Sequence, residues 1–426
     1  MSPRPGRRAV LAAAATALAG CRGEGGRVTT DRGPLAAPEG RSVGYTHHRP
    51  DGNRLVEGTG SLPAADPVDT GLGFEPAWLV AAPLQSGSLW VAVGPEGRVR
   101  GLRAGEDGVE GVAVTPDRLP PGVPPLLVVE GGDARLLASP LDDPAPATHP
   151  VPLGDGRLAA LSAGGDLVLH DGGVRDRLPV DAPPDARILV DGDRLVVLSD
   201  ATDRYTHGAL GDRIEAGGVA VVGVGDGLSL RTRIRTPGEA VIEGIAPILA
   251  GLGAGTGIVV TETDADRGAR EVVYGVDGGR LAAGPAIGTG FRWRHQVAVA
   301  PFAGGEPELA AVRTPHIGGV AEFYRRRGDR LGIVATAAGY ASHAYESRNL
   351  DGGLAGDFDG DGRLELLVPD TERTRLVGLR REGGTVSAAW ERPVGGRMAG
   401  NLAAASHGDG VAVGVGRADG TVRLWR

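Results

Sequence analysis

The sequence predicts an all-β chain folded as a β-propeller, eight-bladed with seven blades as the alternative, and three observations carry that expectation. From Tyr45 onward, apolar residues fall in short, often alternating runs bounded by Gly, Asp and Pro, the pattern of strands joined by turns. One unit recurs: an apolar strand, a Gly/Asp turn and a second strand, at intervals of about thirty to sixty residues around the forty-odd of a propeller blade. No stretch has the period of an amphipathic helix. The 73 Gly and 31 Pro follow no collagen repeat, so they belong to turns.

In chain order, residues 1–20 stand apart from the fold. Arg4, Arg7 and Arg8 precede a short apolar run from Ala9 to Ala17, too short to span a bilayer. Leu18-Ala-Gly-Cys21 follows and resembles the bacterial lipobox, in which the Cys is acylated and becomes the first residue. Arg7-Arg8-Ala-Val-Leu also resembles a twin-arginine export signal. Cys21 is the only cysteine, so no disulfide forms within one chain. These features predict an exported protein, lipid-anchored to the cell envelope through Cys21. Residues 21–44, rich in Gly, Arg and Pro, read as a flexible tether, and residues 45–426 as a single propeller domain.

Eight hairpins follow, their first strands beginning near Ser88, Pro125, Arg157, Arg194, Gly257, Pro307, Leu364 and Gly410. Small-residue strands such as His295-Gln-Val-Ala-Val-Ala and Asn401-Leu-Ala-Ala-Ala precede the later hairpins and suit the crowded inner position of a blade. The last hairpin reaches Arg426 without an outer strand, and Arg54–Gly58 matches the outer-strand pattern with no unit before it. An N-terminal strand at Arg54–Gly58 is therefore expected to close the ring beside Thr421–Trp425. Closure of this kind removes two exposed sheet edges.

The sharpest chemistry lies in Asp357-Phe-Asp-Gly-Asp-Gly-Arg-Leu-Glu365. Carboxylates at Asp357, Asp359 and Asp361, the backbone carbonyl of Arg363 and a closing carboxylate at Glu365 form a set of oxygens suited to Ca²⁺. The alternative is an Asx-rich turn with no ion. The stretch Gly353–Val368 resembles the FG-GAP/VCBS repeats of integrin-α-like propellers, with Glu365 where that pattern usually has Asp. The resemblance implies one structural calcium site between the first two strands of a blade.

Loops entering the inner strands carry Arg292, Arg294, His295, His343, Arg348 and Asn349, and His316 sits in a hairpin turn nearby. If they converge they form a cup offering bidentate donors to carboxylate or phosphate and, with Trp293, a stacking face for a sugar. Each equally caps its own turn. His47-His48 reads as solvated. Net charge is −8 with basic residues scattered, which argues against nucleic acid as a partner. No nucleophile elbow, HExxH, Walker loop or dinucleotide fingerprint occurs. The expected function is a membrane-anchored, extracytoplasmic, non-catalytic binding or scaffold propeller for a protein or carbohydrate ligand. The alternative is an exported propeller enzyme acting on polysaccharide or another small substrate, of lyase, glycosidase or quinoprotein type.

Overall fold

Alternating apolar residues and glycine turns build antiparallel meanders one after another along the chain. The computed structural model describes residues 35–253 and 255–426. The signal segment and Cys21 lie outside the described residues. Apart from the one-turn 3-10 helix Pro38–Gly40, every regular element described is a strand. Meander A is Trp78–Pro83, Ser88–Val93, Val99–Gly105 and Gly108–Val112. Meander B is Leu126–Glu130 and Asp133–Leu136, with Arg41–Tyr45 added on the inner side. Meander C runs Val151–Pro152, Leu158–Leu161, Asp166–His170 and Val174–Pro179. D runs Leu189–Asp191, Arg194–Thr202, Glu215–Val224 and Leu228–Arg235. E runs Ile248–Gly251, Thr256–Thr263, Arg270–Gly275 and Arg280–Ala283. F is Arg294–Ala300, Glu308–Arg313, Val320–Arg327 and Arg330–Ala338. G is Leu354–Asp357, Glu365–Pro369, Arg375–Glu382 and Thr385–Pro393. H is Met398–His407, Gly410–Arg417 and Thr421–Trp425.

The ring closes where meander H meets the N-terminal chain, but through a different strand from the one expected. Val68–Gly71 pairs antiparallel with Thr421–Trp425, Val68 facing Leu424 and Gly71 facing Thr421. Arg54–Gly58 does not. The strand Leu55–Gly60 runs parallel to Leu354–Asp357 and to the start of Gly410–Arg417, wedged between G and H. Its fit depends on bareness: a Cβ on Gly60 would stand 2.6 Å from the Phe358 carbonyl oxygen. Meander H in turn packs on the Trp78–Pro83 strand of A.

The tether boundary also shifts. Arg41–Tyr45 pairs in full register with Leu126–Glu130, from Arg41↔Glu130 to Tyr45↔Leu126, so residues 41–44 belong to the fold. Tyr45 enters the apolar core with Leu126 and Val128, burial that stabilises by about 1.5–3 kcal/mol for a large side chain. Between meanders the core tolerates few extra atoms. Trp90 is fully buried with its indole N–H donated to Ser88 Oγ at 2.8 Å, and a Cβ at Gly414 would meet its ring at 2.5 Å.

Candidate functional site

In an antiparallel meander, the loop entering the first strand and the loop between the second and third lie at one end, and the first turn lies at the other. The polar entry loops and the Asp357–Glu365 turn are therefore at opposite ends of their strands.

At the centre, three entry segments deliver charge into a fully buried place. Arg54 follows His47 and His48 on the N-terminal segment, Arg187 precedes meander D, and Asp351 precedes meander G. Arg54 Nε donates to Asp351 Oδ1 at 2.8 Å, and Arg187 Nη1 lies 2.8 Å from Asp351 Oδ2 and 3.0 Å from Oδ1. The Arg187 and Asp351 side chains are 0% exposed. The two guanidinium groups hold the Asp351 carboxyl well below the usual carboxylate range against the opposing push of burial. Arg187 also lies over the Trp78 ring and donates to His47 Nδ1 at 3.3 Å. His47 is buried rather than solvated, its ring stacked at 6.1 Å on that of His149. Burial drives the pKa of His47 well below the ordinary histidine value, and those of His48 and His149 down to about 4.

Beside this centre His295, His316 and His343 do come together, around Trp293. Ring centroids lie 4.8 Å apart for Trp293–His343, 5.0 Å for His295–His343 and 4.5 Å for His316–His343. Ser342 Oγ bridges His295 Nδ1 at 2.9 Å and His343 Nδ1 at 3.0 Å. This is a packed edge-to-face aromatic cluster rather than a chelate. Among the described residues, the group whose potential ligand atoms all lie within 4.8 Å of one another is Asp357, Asp359 and Asp361. Burial lowers the pKa values of all three histidines, that of His316 to about 4. Exposed apolar side chains occur on the same loops: Phe291 is 55%, Tyr345 60% and Ile317 79% exposed. Phe291 stacks on His207 at 5.1 Å, and Tyr345 meets His316 at 5.3 Å.

The remaining expected cup residues divide. Arg292 is exposed. Arg294 is spent on the fold: Nε donates to Glu322 at 2.9 Å and Nη1 to the carbonyls of Ala269 and Pro285. Asn349 braces three meanders, donating to the Ala77 carbonyl at 2.8 Å and to Asn401 Oδ1 at 3.1 Å. Arg348 reaches Asp185 at 3.0 Å and Asp212 at 2.5 Å.

Those two acids belong to a group absent from the sequence reading. Burial, then the charge of Asp212, pushes the Asp185 carboxyl up to about 6. Burial, then Glu243, Asp185 and Asp212, pushes Glu215 well above the usual range. Glu243 meets His207 Nδ1 at 2.5 Å and accepts from Thr263 Oγ1. Residues 203–214 lie over this group and are held down by Ala209 and Leu210, which pack with Ile245, Trp293 and Leu350. The one signal in the sequence was polar residues directly before apolar inner strands, as in Asp185-Ala-Arg187 before Ile188 and Leu189.

At the opposite end the Asp loop is tight and already holds a cation of its own. Asp357 accepts from the N–H groups of Gly360 and Gly362 at 2.8 and 3.1 Å, and Gly362 takes φ +81°, a conformation open to glycine. Arg380, from the third strand of meander G, contacts Asp359 at 2.5 Å, Asp361 at 3.0 Å and Glu365 at 2.8 Å. The Arg363 N–H donates to Asp361 at 3.0 Å while its guanidinium turns away to Glu382 at 2.6 Å. Elsewhere, Asp264 pairs with Arg267, and Glu271 is fully buried and accepts from Thr261 Oγ1.

No family model and no curated protein matches the chain. Among solved structures, it is similar to a quinohemoprotein alcohol dehydrogenase from Pseudomonas putida HK5. The match has a TM-score of 0.56 and 11% identity and covers 92% of this chain and 80% of that one. A quinohemoprotein alcohol dehydrogenase from Comamonas testosteroni gives a TM-score of 0.49 at 10% identity, over 88% of this chain and 79% of that one. At this identity the likeness to the first extends to the fold, and with the strand pairings above it makes the chain a β-propeller.

Proposed function

We propose that the chain is a non-catalytic binding propeller of eight blades, meanders A to H, which takes a carbohydrate ligand at the end where its inner strands begin. The observation that carries this reading is the exposure of Phe291, Ile317 and Tyr345 on the entry loops, beside a centre closed by buried ion pairs. Apolar rings held in the open, flanked by Arg348, Asp212 and His207, suit the apolar face and the hydroxyls of a sugar. A closed centre favours surface recognition over a deep reaction chamber. Calorimetric titration with a panel of neutral and acidic oligosaccharides tests it. Binding should weaken at least tenfold in the Phe291→Ala/Tyr345→Ala double variant. Binding by no member of the panel, or equal binding by the variant, rejects the reading.

A second reading, an exported propeller enzyme, is favoured by one observation: an Asp185 carboxyl near 6 beside Asp212 is poised for proton transfer near neutrality. Cleavage products in the same titrations, abolished by Asp185→Asn, would decide for it. The haem that the name of the similar dehydrogenases implies does not fit, because this sequence has a single cysteine and no Cys-x-x-Cys-His attachment run.

Two further parts belong to the proposal. Ca²⁺ binds Asp357, Asp359, Asp361, the Arg363 carbonyl and Glu365, in keeping with the FG-GAP/VCBS resemblance and with the three clustered aspartates. Calcium must then displace Arg380, and no heat of binding with an unchanged melting temperature in chelator would reject it. The protein is exported and anchored to the membrane by lipid on Cys21, and a Cys21→Ser chain should lose metabolic labelling with palmitate.

A further inference from the structure

The centre of the ring carries more positive than negative charge. Arg54 and Arg187 share one carboxylate, Asp351. The groups packed against them are His47, His48, His149 and His295, which burial keeps neutral. The charges that act on these histidines and on Asp351 come from the same set, with His316 beyond His295. No second carboxylate appears among them.

The two arginines are used differently. Arg54 gives Nε to Asp351 and Nη1 to the carbonyls of Gln296 and Val297. Arg187 gives only Nη1, to Asp351 and to His47 Nδ1. Its Nε and Nη2 form the edge that grips an anion side-on in two parallel hydrogen bonds. Both atoms are buried and have no hydrogen-bond partner among the described residues. Because His47 Nδ1 accepts from Arg187, the neutral ring carries its proton on Nε2, and that buried N–H has no partner either. So a fully buried guanidinium presents a free bidentate edge, and a second orphan donor stands on its immediate neighbour. Water would answer the donors but leave the charge, and an uncompensated buried charge is strongly disfavoured.

We propose that the ring centre binds a small monovalent inorganic anion on the Nε–Nη2 edge of Arg187, sealing the axis and joining the N-terminal segment to the entries of meanders D and G. This rests on the ring centre alone and stands whichever ligand the rim above it takes.

Bromide is the probe, and two measurements on the full chain test the proposal. Crystals grown in bromide in place of chloride should show an anomalous peak within hydrogen-bond distance of Arg187 Nε and Nη2. The melting temperature, at constant ionic strength made up with gluconate, should rise with chloride or bromide by about 3 °C at hundredfold saturation. Arg187→Met leaves Arg54 and Asp351 as a neutral pair and should abolish both the peak and the rise. A water at that position with anion-independent melting overturns the proposal, as does a rise that persists unchanged in Arg187→Met. If that variant does not fold, the bromide peak decides alone.

Discussion

Two clusters of arginine and aspartate sit in this molecule with opposite construction. The Asp loop gathers its carboxylates within one turn and adds a single arginine, Arg380, 15 residues from Glu365. The ring centre gathers two arginines around one carboxylate, with Arg54 297 residues and Arg187 164 residues from Asp351. The first cluster is negative in excess, at the rim and close to solvent. The second is positive in excess and buried. The first requires only that one meander form, whereas the second exists only once the whole ring has closed. The loop is therefore a local device that tolerates change, and the centre is where distant parts of the chain are tied together.

Acid should act on the two clusters in opposite directions, loosening the buried histidines around the centre and favouring Glu365 of the loop in its protonated form. The pKa values of His47, His48, His149, His295, His316 and His343 are all lowered in the fold. Between the unfolded value near 6.5 and the folded values at or below about 4, the unfolded chain binds more protons at these sites, so their contribution is present above 6.5 and lost as pH falls. Asp51, Asp185, Glu215, Glu271 and Glu365 are raised, Glu271 up to about 8 and Glu365 to about 7, and act the other way, favouring the fold as pH falls. Six histidines outnumber these five carboxylates. Stability should fall from pH 6.5 to 4.5, by about 1.4 kcal/mol per pH unit for each net proton. Denaturant unfolding across that range checks it, and a curve flat or rising toward acid would contradict the buried histidine cluster.

A comparable loss is expected of Asp351→Asn. It leaves two buried guanidinium groups without their carboxylate, and breaking a buried pair from one side costs about 3–5 kcal/mol. Urea unfolding of this variant, beside Asp359→Asn in the loop, measures the contrast between the clusters directly. Similar losses in both would show that the centre is no more essential than the rim.

The same contrast explains what could be read from the chain before it was folded. The strands were legible because alternating apolar residues between glycine turns are a local signal, and Trp90, Val259 and Leu367 lie in the cores they suggest. The Asp loop was legible for the same reason. The closing strand was not: Val68-Asp-Thr-Gly carries one apolar residue, while Arg54–Gly58 looked the better strand and is used as a wedge instead. His47 looked solvated because its burial comes from Arg187 and His149, far along the chain. Arg187 and Asp351 carried no motif, since their meaning lies in their meeting. Of the expected cup, the histidines converge, and Arg294 and Asn349 are consumed by Glu322 and Asn401.

A smaller effect sharpens the loop's side of the comparison. Arg380 occupies three of the carboxylates a calcium ion would use, so ion and guanidinium compete. Arg380→Met removes the competitor and leaves the oxygens, and calcium affinity by calorimetry should rise at least tenfold. In the absence of calcium the same variant should lose stability through carboxylate repulsion, with chelator sensitivity larger than in the parent. An unchanged affinity would mean that the loop's cation is the arginine alone.

The smallest change expected is at Asp361. Its side chain is 39% exposed, its contacts are Arg380 and the Arg363 N–H, and an asparagine retains an oxygen for that N–H. Exposed ion pairs contribute about 0–1 kcal/mol, so Asp361→Asn should shift calcium-free stability by no more than about 0.5 kcal/mol. Calcium should distinguish what stability alone does not, because losing one of the carboxylates on a hard cation weakens the site even where the turn survives. A near-neutral denaturation curve with weakened calcium binding would assign Asp361 to the ion. A near-neutral curve with calcium affinity unchanged would leave Asp361 as a turn residue and restrict any ion to Asp357, Asp359 and Glu365.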